Sequence, residues 1–147
     1  MNAPPMTERS GILQWPSAKL MGAEFVGMDE DTMTVEMAFT MPPEFSNMRG
    51  SVQGGLLAAP MDEAMGAAVY LATQGKLQLT LDINLSLLRP VPLERITVKA
   101  RAVKAGRRVT FVESELFDAS GKLCARATAT TIPTDWPGAT KEQGPDA

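Results

Sequence analysis

The sequence predicts a single α+β domain in which one long helix lies on an antiparallel sheet. Three observations carry this. A segment rich in alanine and glycine, residues 54–73, repeats its apolar side chains at helical spacing. Strand-like segments with period-two alternation flank it, two before and four after. The chain has 147 residues, of which 44% are hydrophobic, enough for one packed core and no more than one domain.

Taken in order, residues 1–18 read as a flexible lead-in with a short helix or strand near its end, 19–133 as the folded domain, and 134–147 as a frayed Pro/Gly-rich tail that Trp136 helps to pin. Strands are expected over 19–28 and 32–40, turning at Asp29-Glu30-Asp31. In the second, Met33, Val35, Met37 and Phe39 share one face and Thr34, Glu36 and Ala38 the other. Pro42 and Pro43 end it. A loop carrying Gly50 and Gly54 leads to the helix, whose stripe is Leu57, Met61, Ala64, Met65, Ala68 and Leu71, with Gly75 as the stop. Pro60 conflicts with a helix interior; it either shapes the early turns or bends the axis and so sets Asp62. The clearest alternation follows: Leu77, Leu79, Leu81, Ile83, Leu85 and Leu87 against Gln78, Thr80, Asp82, Asn84 and Ser86. The polar side of this strand needs a use, as a cleft or a dimer interface. Strands over 93–104, 107–118 and 122–132 complete the sheet, turning at Ala105-Gly106 and at Asp118–Gly121.

Composition excludes several functions. The net charge of -3 offers no basic excess for nucleic acid or an anionic membrane. The single cysteine, Cys124, forbids an intrachain disulfide and suits a reducing compartment; it lies in a strand as a packed thiol with no nearby base. No signal-like or spanning apolar run is present, so a soluble, cytoplasmic protein is expected. With no histidine, a Ser-His or Cys-His relay and a histidine-ligated metal are closed to this chain. No metal and no separate cofactor are expected.

The residues left for chemistry cluster between 47 and 80. Asp62 lies eight positions after Gly54, among Met61, Ala64 and Met65, where partial desolvation would make it a stronger base. The rival reading is a solvated carboxylate favoured by the helix dipole. The Gly54-Gly55 pair opens the helix, where backbone N–H groups have no helical partner and favour developing negative charge. Asn47 is either an Asx-turn brace or a donor to a substrate carbonyl. Gln53 reads as a loop-bracing side chain, and Glu63, about 100 degrees around the helix from Asp62, as a solvated or interface ion.

Asn47, Gly50, Gly54-Gly55 and Asp62, at this spacing, resemble the signature of the hot-dog-fold acyl-CoA thioesterases, in particular the phenylacetate-pathway (PaaI-like) branch. The resemblance continues through 79–90, 103–107 and 118–126, and so spans residues 19–133. It implies a curved antiparallel sheet wrapped around a long central helix. It also implies a homodimer sharing one continuous sheet, or a dimer of dimers, with active sites at the subunit interface. Carried over, Asn47 and the Gly54 N–H contact the carbonyl from one subunit. Asp62 supplies the catalytic carboxylate and Thr80 helps to hold water from the other. The chain departs from the family at Gln53, where relatives usually carry histidine; glutamine keeps hydrogen bonding but not the charge.

The implied reaction is hydrolysis of an acyl-CoA to a carboxylic acid and CoA, with Asp62 as general base or nucleophile and coenzyme A as part of the substrate. Gln53 and Gly55 would border the substrate, Met61 and Met65 would touch the acyl group, and Arg89, Lys104, Arg107 and Arg108 would meet the CoA phosphates. Core packing for the methionines and solvated turns for the cations are the plainer readings. The functional alternative is a non-catalytic acyl-CoA-binding or regulatory protein of the same fold.

Overall fold

Pro16 opens helix α1, Pro16–Leu20, at the first helical position, where a proline forfeits no helix hydrogen bond. Residues 19 and 20 therefore finish a helix rather than start the expected strand. The structure, a computed structural model, describes Leu13 and residues 15–135. The lead-in before Leu13 and the tail with Trp136 lie outside the described residues.

Strands β1, Glu24–Asp29, and β2, Thr34–Thr40, form a hairpin whose turn is held by Asp29 Oδ1, which accepts from the N–H groups of Asp31 and Thr32. Met33 adopts φ +54 in this turn and is exposed, so it leaves the face shared by Val35, Met37 and Phe39. The glycine pair opens a 3-10 turn, Gly54–Leu57, and the α-helix proper, α2, runs Ala58–Ala72. Pro60 falls in the first turn of α2, where a proline is tolerated. The chain leaves the helix through Gln74 and Gly75, both at positive φ. Strands β3, Leu77–Leu87, β4, Arg95–Ala105, β5, Thr110–Phe117, and β6, Leu123–Thr134, complete the domain.

All strands join one six-stranded antiparallel sheet in the order β1-β2-β4-β5-β6-β3. Helix α2 packs across one face, against β2 to β6. Its Met61, Ala64, Met65, Ala68 and Val69 are buried against Val35, Phe39, Ile96, Val98, Val112 and Leu116. Each large side chain so buried contributes about 1.5–3 kcal/mol. The alanines and Gly66 keep the helix slim and close to the strands.

The expected curved sheet wrapped around the helix is not what forms. The sheet is open: β1 and β3 stay at opposite edges and do not pair. The helix covers one face only. The other face carries cross-strand charge pairs, Arg101 Nε to Glu113 Oε1 at 2.7 Å and Arg126 Nε to Glu115 Oε2 at 3.6 Å, with Lys99 over the Phe117 ring. Such a face is already satisfied by water and ion pairs and gives the sheet no drive to close.

One irregularity positions the site. The β3–β6 register shifts between Thr80 and Asp82, a bulge at Leu81. Before it, Gln78 and Thr80 lie on the helix face; Thr80 pairs with buried Thr131. After it, Ile83 and Leu85 take the helix face, and Asp82, Asn84 and Ser86 turn outward. The unbroken alternation expected for this strand is thus split in two phases.

Candidate active site

The loop before the helix is built by Asn47. Its Oδ1 accepts from the N–H of Arg49 (2.9 Å), the N–H of Ser51 (3.2 Å) and the Ser51 hydroxyl (3.2 Å). Gly50, at φ +76, lets the chain reverse inside this knot. Because two of these partners are backbone N–H groups, the atom they meet must be the amide oxygen, and the amide Nδ2 is left without a partner among the described residues. Asn47 therefore braces the loop and retains two free donors.

Gln53 caps the glycine turn: its Oε1 accepts from the Leu56 N–H at 3.1 Å. Gly54 approaches β3 so closely that a Cβ there would lie 2.6 Å from Leu87 Cδ1. A Cβ on Gly55 would lie 3.1 Å from Gln53 Oε1. The Gly54 N–H heads the turn and has no acceptor among the described residues. Asn47, Gly54, Leu87 and Arg89 line one cavity of about 320 Å³.

Asp62 lines a different cavity, of about 290 Å³. Its Oδ1 accepts from Thr80 Oγ1 at 2.8 Å and from Gln78 Nε2 at 2.9 Å. Its Oδ2 has no partner among the described residues. Glu63 and Gln78 share the polar part of this cavity; Trp15, Met37 and Tyr70 are among its apolar walls. Glu63 is half-buried, and burial, followed by the neighbouring Asp62 charge, pushes its carboxyl above the ordinary value.

Of the residues expected at the site, the fold joins Asp62 with Thr80, and Asn47 with Gly54 and Arg89, but in separate cavities of one chain. Met61 and Met65 are fully buried in the core and line neither cavity. Arg107 borders a third cleft beside Lys76, while Lys104 and Arg108 are exposed around the β4–β5 turn. Gln78 and Glu63 are the residues sequence reasoning missed. Gln78 was hidden by the bulge, and Glu63 by a helix start that leaves it facing a cavity rather than solvent. Among the described residues no cluster of three or more His, Cys, Asp or Glu is arranged to hold a metal, and no helix is long and apolar enough to cross a membrane. Cys124 is buried, and burial and the Asp118 charge push its thiol up.

Comparison with known proteins agrees with this architecture. Residues 49–125 match the family model of the thioesterase superfamily. The chain is 30% identical over 108 residues to the "Putative esterase" of Sulfurisphaera tokodaii, covering 74% of this chain and 79% of that one. It is 31% identical over 85 residues to human acyl-coenzyme A thioesterase 13, covering 56% of this chain and 61% of that one. A crystal structure of a phenylacetic acid degradation-related protein from Ralstonia eutropha superposes with a TM-score of 0.70 at 34% identity, over 80% of this chain and 90% of that one. The chain belongs to the hot-dog-fold thioesterase superfamily, whose general activity is thioester hydrolysis, and is related to its PaaI-type proteins.

Proposed function

We propose that this protein hydrolyses acyl-CoA thioesters, with Asp62 as the catalytic carboxylate. The observation that carries the reading is the Thr80–Asp62 contact of 2.8 Å beside a largely apolar cavity, with the second carboxylate oxygen unpartnered among the described residues. The Gly54 N–H and Asn47 Nδ2 would both donate to the thioester oxygen as it gains charge. Their free state among the described residues, and their common cavity, support this.

As a base, Asp62 takes one proton from water as the water oxygen bonds to the acyl carbon. The tetrahedral intermediate then collapses, the C–S bond breaks, and the CoA thiolate recovers that proton. As a nucleophile, an Asp62 oxygen bonds to the acyl carbon while the C–S bond breaks and CoA leaves as the thiolate; water then cleaves the mixed anhydride, freeing the acid and the Asp62 carboxylate, and a proton from that water goes to the thiolate. Both routes use the free carboxylate oxygen. Arg89, in the cavity of Asn47 and Gly54, is suited to a CoA phosphate.

The carbonyl donors and the carboxylate line separate cavities of one chain, which supports a site completed by a second copy. Strand β3 supports that pairing: it is a long sheet edge with Leu79, Leu81 and Leu87 half exposed. The test is thiol release from phenylacetyl-, hydroxybenzoyl-, short-chain and long-chain acyl-CoA. Selective release supports the reading. Binding without release from any ester would leave a non-catalytic acyl-CoA-binding protein.

A further inference from the structure

We infer that Gln78 is a positioning residue for the reaction: it clamps the Asp62 carboxylate so that Oδ2 alone faces the substrate. This rests on the reading of Asp62 as the catalytic carboxylate and adds to it a second side chain and a helix glycine.

The geometry is a two-point clamp. Gln78 Nε2 donates to Asp62 Oδ1 at 2.9 Å and to the Asp62 backbone carbonyl at 2.9 Å. One amide nitrogen therefore holds both the side chain and the main chain of the same residue. With Thr80 on the same Oδ1, rotation of the carboxylate about its last bond would break two hydrogen bonds. The amide orientation is fixed too, since a flipped Gln78 would set oxygen against two oxygens.

Two features show that this arrangement is maintained at a cost. Gln78 Oε1 is buried with no hydrogen-bond partner among the described residues. An apolar side chain of the same length would fill the space without leaving a buried acceptor unsatisfied. The helix facing it carries glycine at 66, in mid-helix, where glycine is a poor choice. A Cβ at Gly66 would lie 3.1 Å from Gln78 Nε2, so the missing side chain is the seat of the amide. Both departures from good packing converge on one amide, whose nitrogen hydrogen-bonds only to Asp62 among the described residues. Buried polar groups held against their own cost are characteristic of sites rather than of cores.

The consequence concerns turnover and not substrate affinity. Gln78 reaches the substrate through Asp62, so its loss lets the carboxylate rotate and spread over unproductive orientations.

The test uses full-length Gln78→Met and Gly66→Ala beside wild type and Asp62→Asn. Gln78→Met keeps the length and removes the donor; Gly66→Ala keeps both polar partners and displaces the amide. In Gln78→Met, kcat should fall by about 10-fold or more, with KM within about twofold. Gly66→Ala should lower kcat in the same way with KM held. If Gln78→Met fails to fold, Gly66→Ala decides. Wild-type kcat in the folded variants, or a fall in kcat matched by a rise in KM of the same size, overturns the inference while an inactive Asp62→Asn leaves the Asp62 reading standing. An active Asp62→Asn overturns both.

Discussion

The Thr80 hydroxyl donates to Asp62 Oδ1 at 2.8 Å, tying an edge strand to the helix that crosses it. The contact depends on the bulge at Leu81, which puts Thr80 on the helix face while Asp82 turns outward. Thr80→Val keeps the shape and removes the donor. A hydrogen bond to a charged group is worth about 1.5–3 kcal/mol, so kcat should fall by roughly 10- to 100-fold with little change in oligomeric state. Steady-state kinetics on the preferred ester checks this.

Gly54 meets Leu87 where a Cβ would be 2.6 Å from Cδ1. Gly54→Ala should therefore displace either the glycine turn or Leu87, and lower kcat/KM. Because the obstacle is the end of a flexible side chain, Leu87→Ala in the same molecule should recover much of the loss. Equal activity of the single and double variants, measured with the same ester, would show that the close approach does not set the turn.

Glu63 has its folded-state pKa raised, first by burial and then by Asp62. For a raised carboxylate the stability contribution is present below the ordinary value and is lost as pH rises through the folded value. Glu63→Gln does not titrate. Its Tm should exceed that of wild type near neutral pH, and the difference should shrink as pH falls toward the ordinary glutamate range. Thermal unfolding of both proteins across that range reads it directly.

If Asn47 acts on the substrate bound beside another copy's Asp62, two inactive variants should complement each other. Asn47→Ala and Asp62→Asn, mixed under conditions that exchange subunits, should regain activity toward about one quarter of wild type, since a random two-subunit mixture is half heterodimer and each heterodimer has one of its two sites intact. No recovery despite demonstrated exchange would place all the catalytic groups within one chain.

Much of this was legible in the sequence because periodicity reports burial. The stripe of Met61, Ala64, Met65 and Ala68 and the alternation of Val35, Met37 and Phe39 gave the helix and sheet their buried faces. The spacing of Asn47, Gly54 and Asp62 singled out these three as candidates for the site. What escaped was whatever breaks a period. The bulge at Leu81 reverses the strand's faces with no change in the leucine pattern, and so concealed Gln78. The openness of the sheet depends on which edges pair, and alternation is the same in an open sheet and a wrapped one. That Asn47 braces the loop through its amide oxygen needed the identity of its partners, because an Asx turn and a free amide donor look alike in sequence.

The most direct test is turnover by Asp62→Asn against wild type, with acyl-CoA binding and oligomeric state measured on the same samples. The amide keeps the size of the carboxylate but neither accepts a proton nor attacks the acyl carbon. Thiol release should fall by about 100-fold or more, with binding and assembly retained. Undiminished release from the asparagine variant would contradict the assignment of Asp62 and the mechanism built on it.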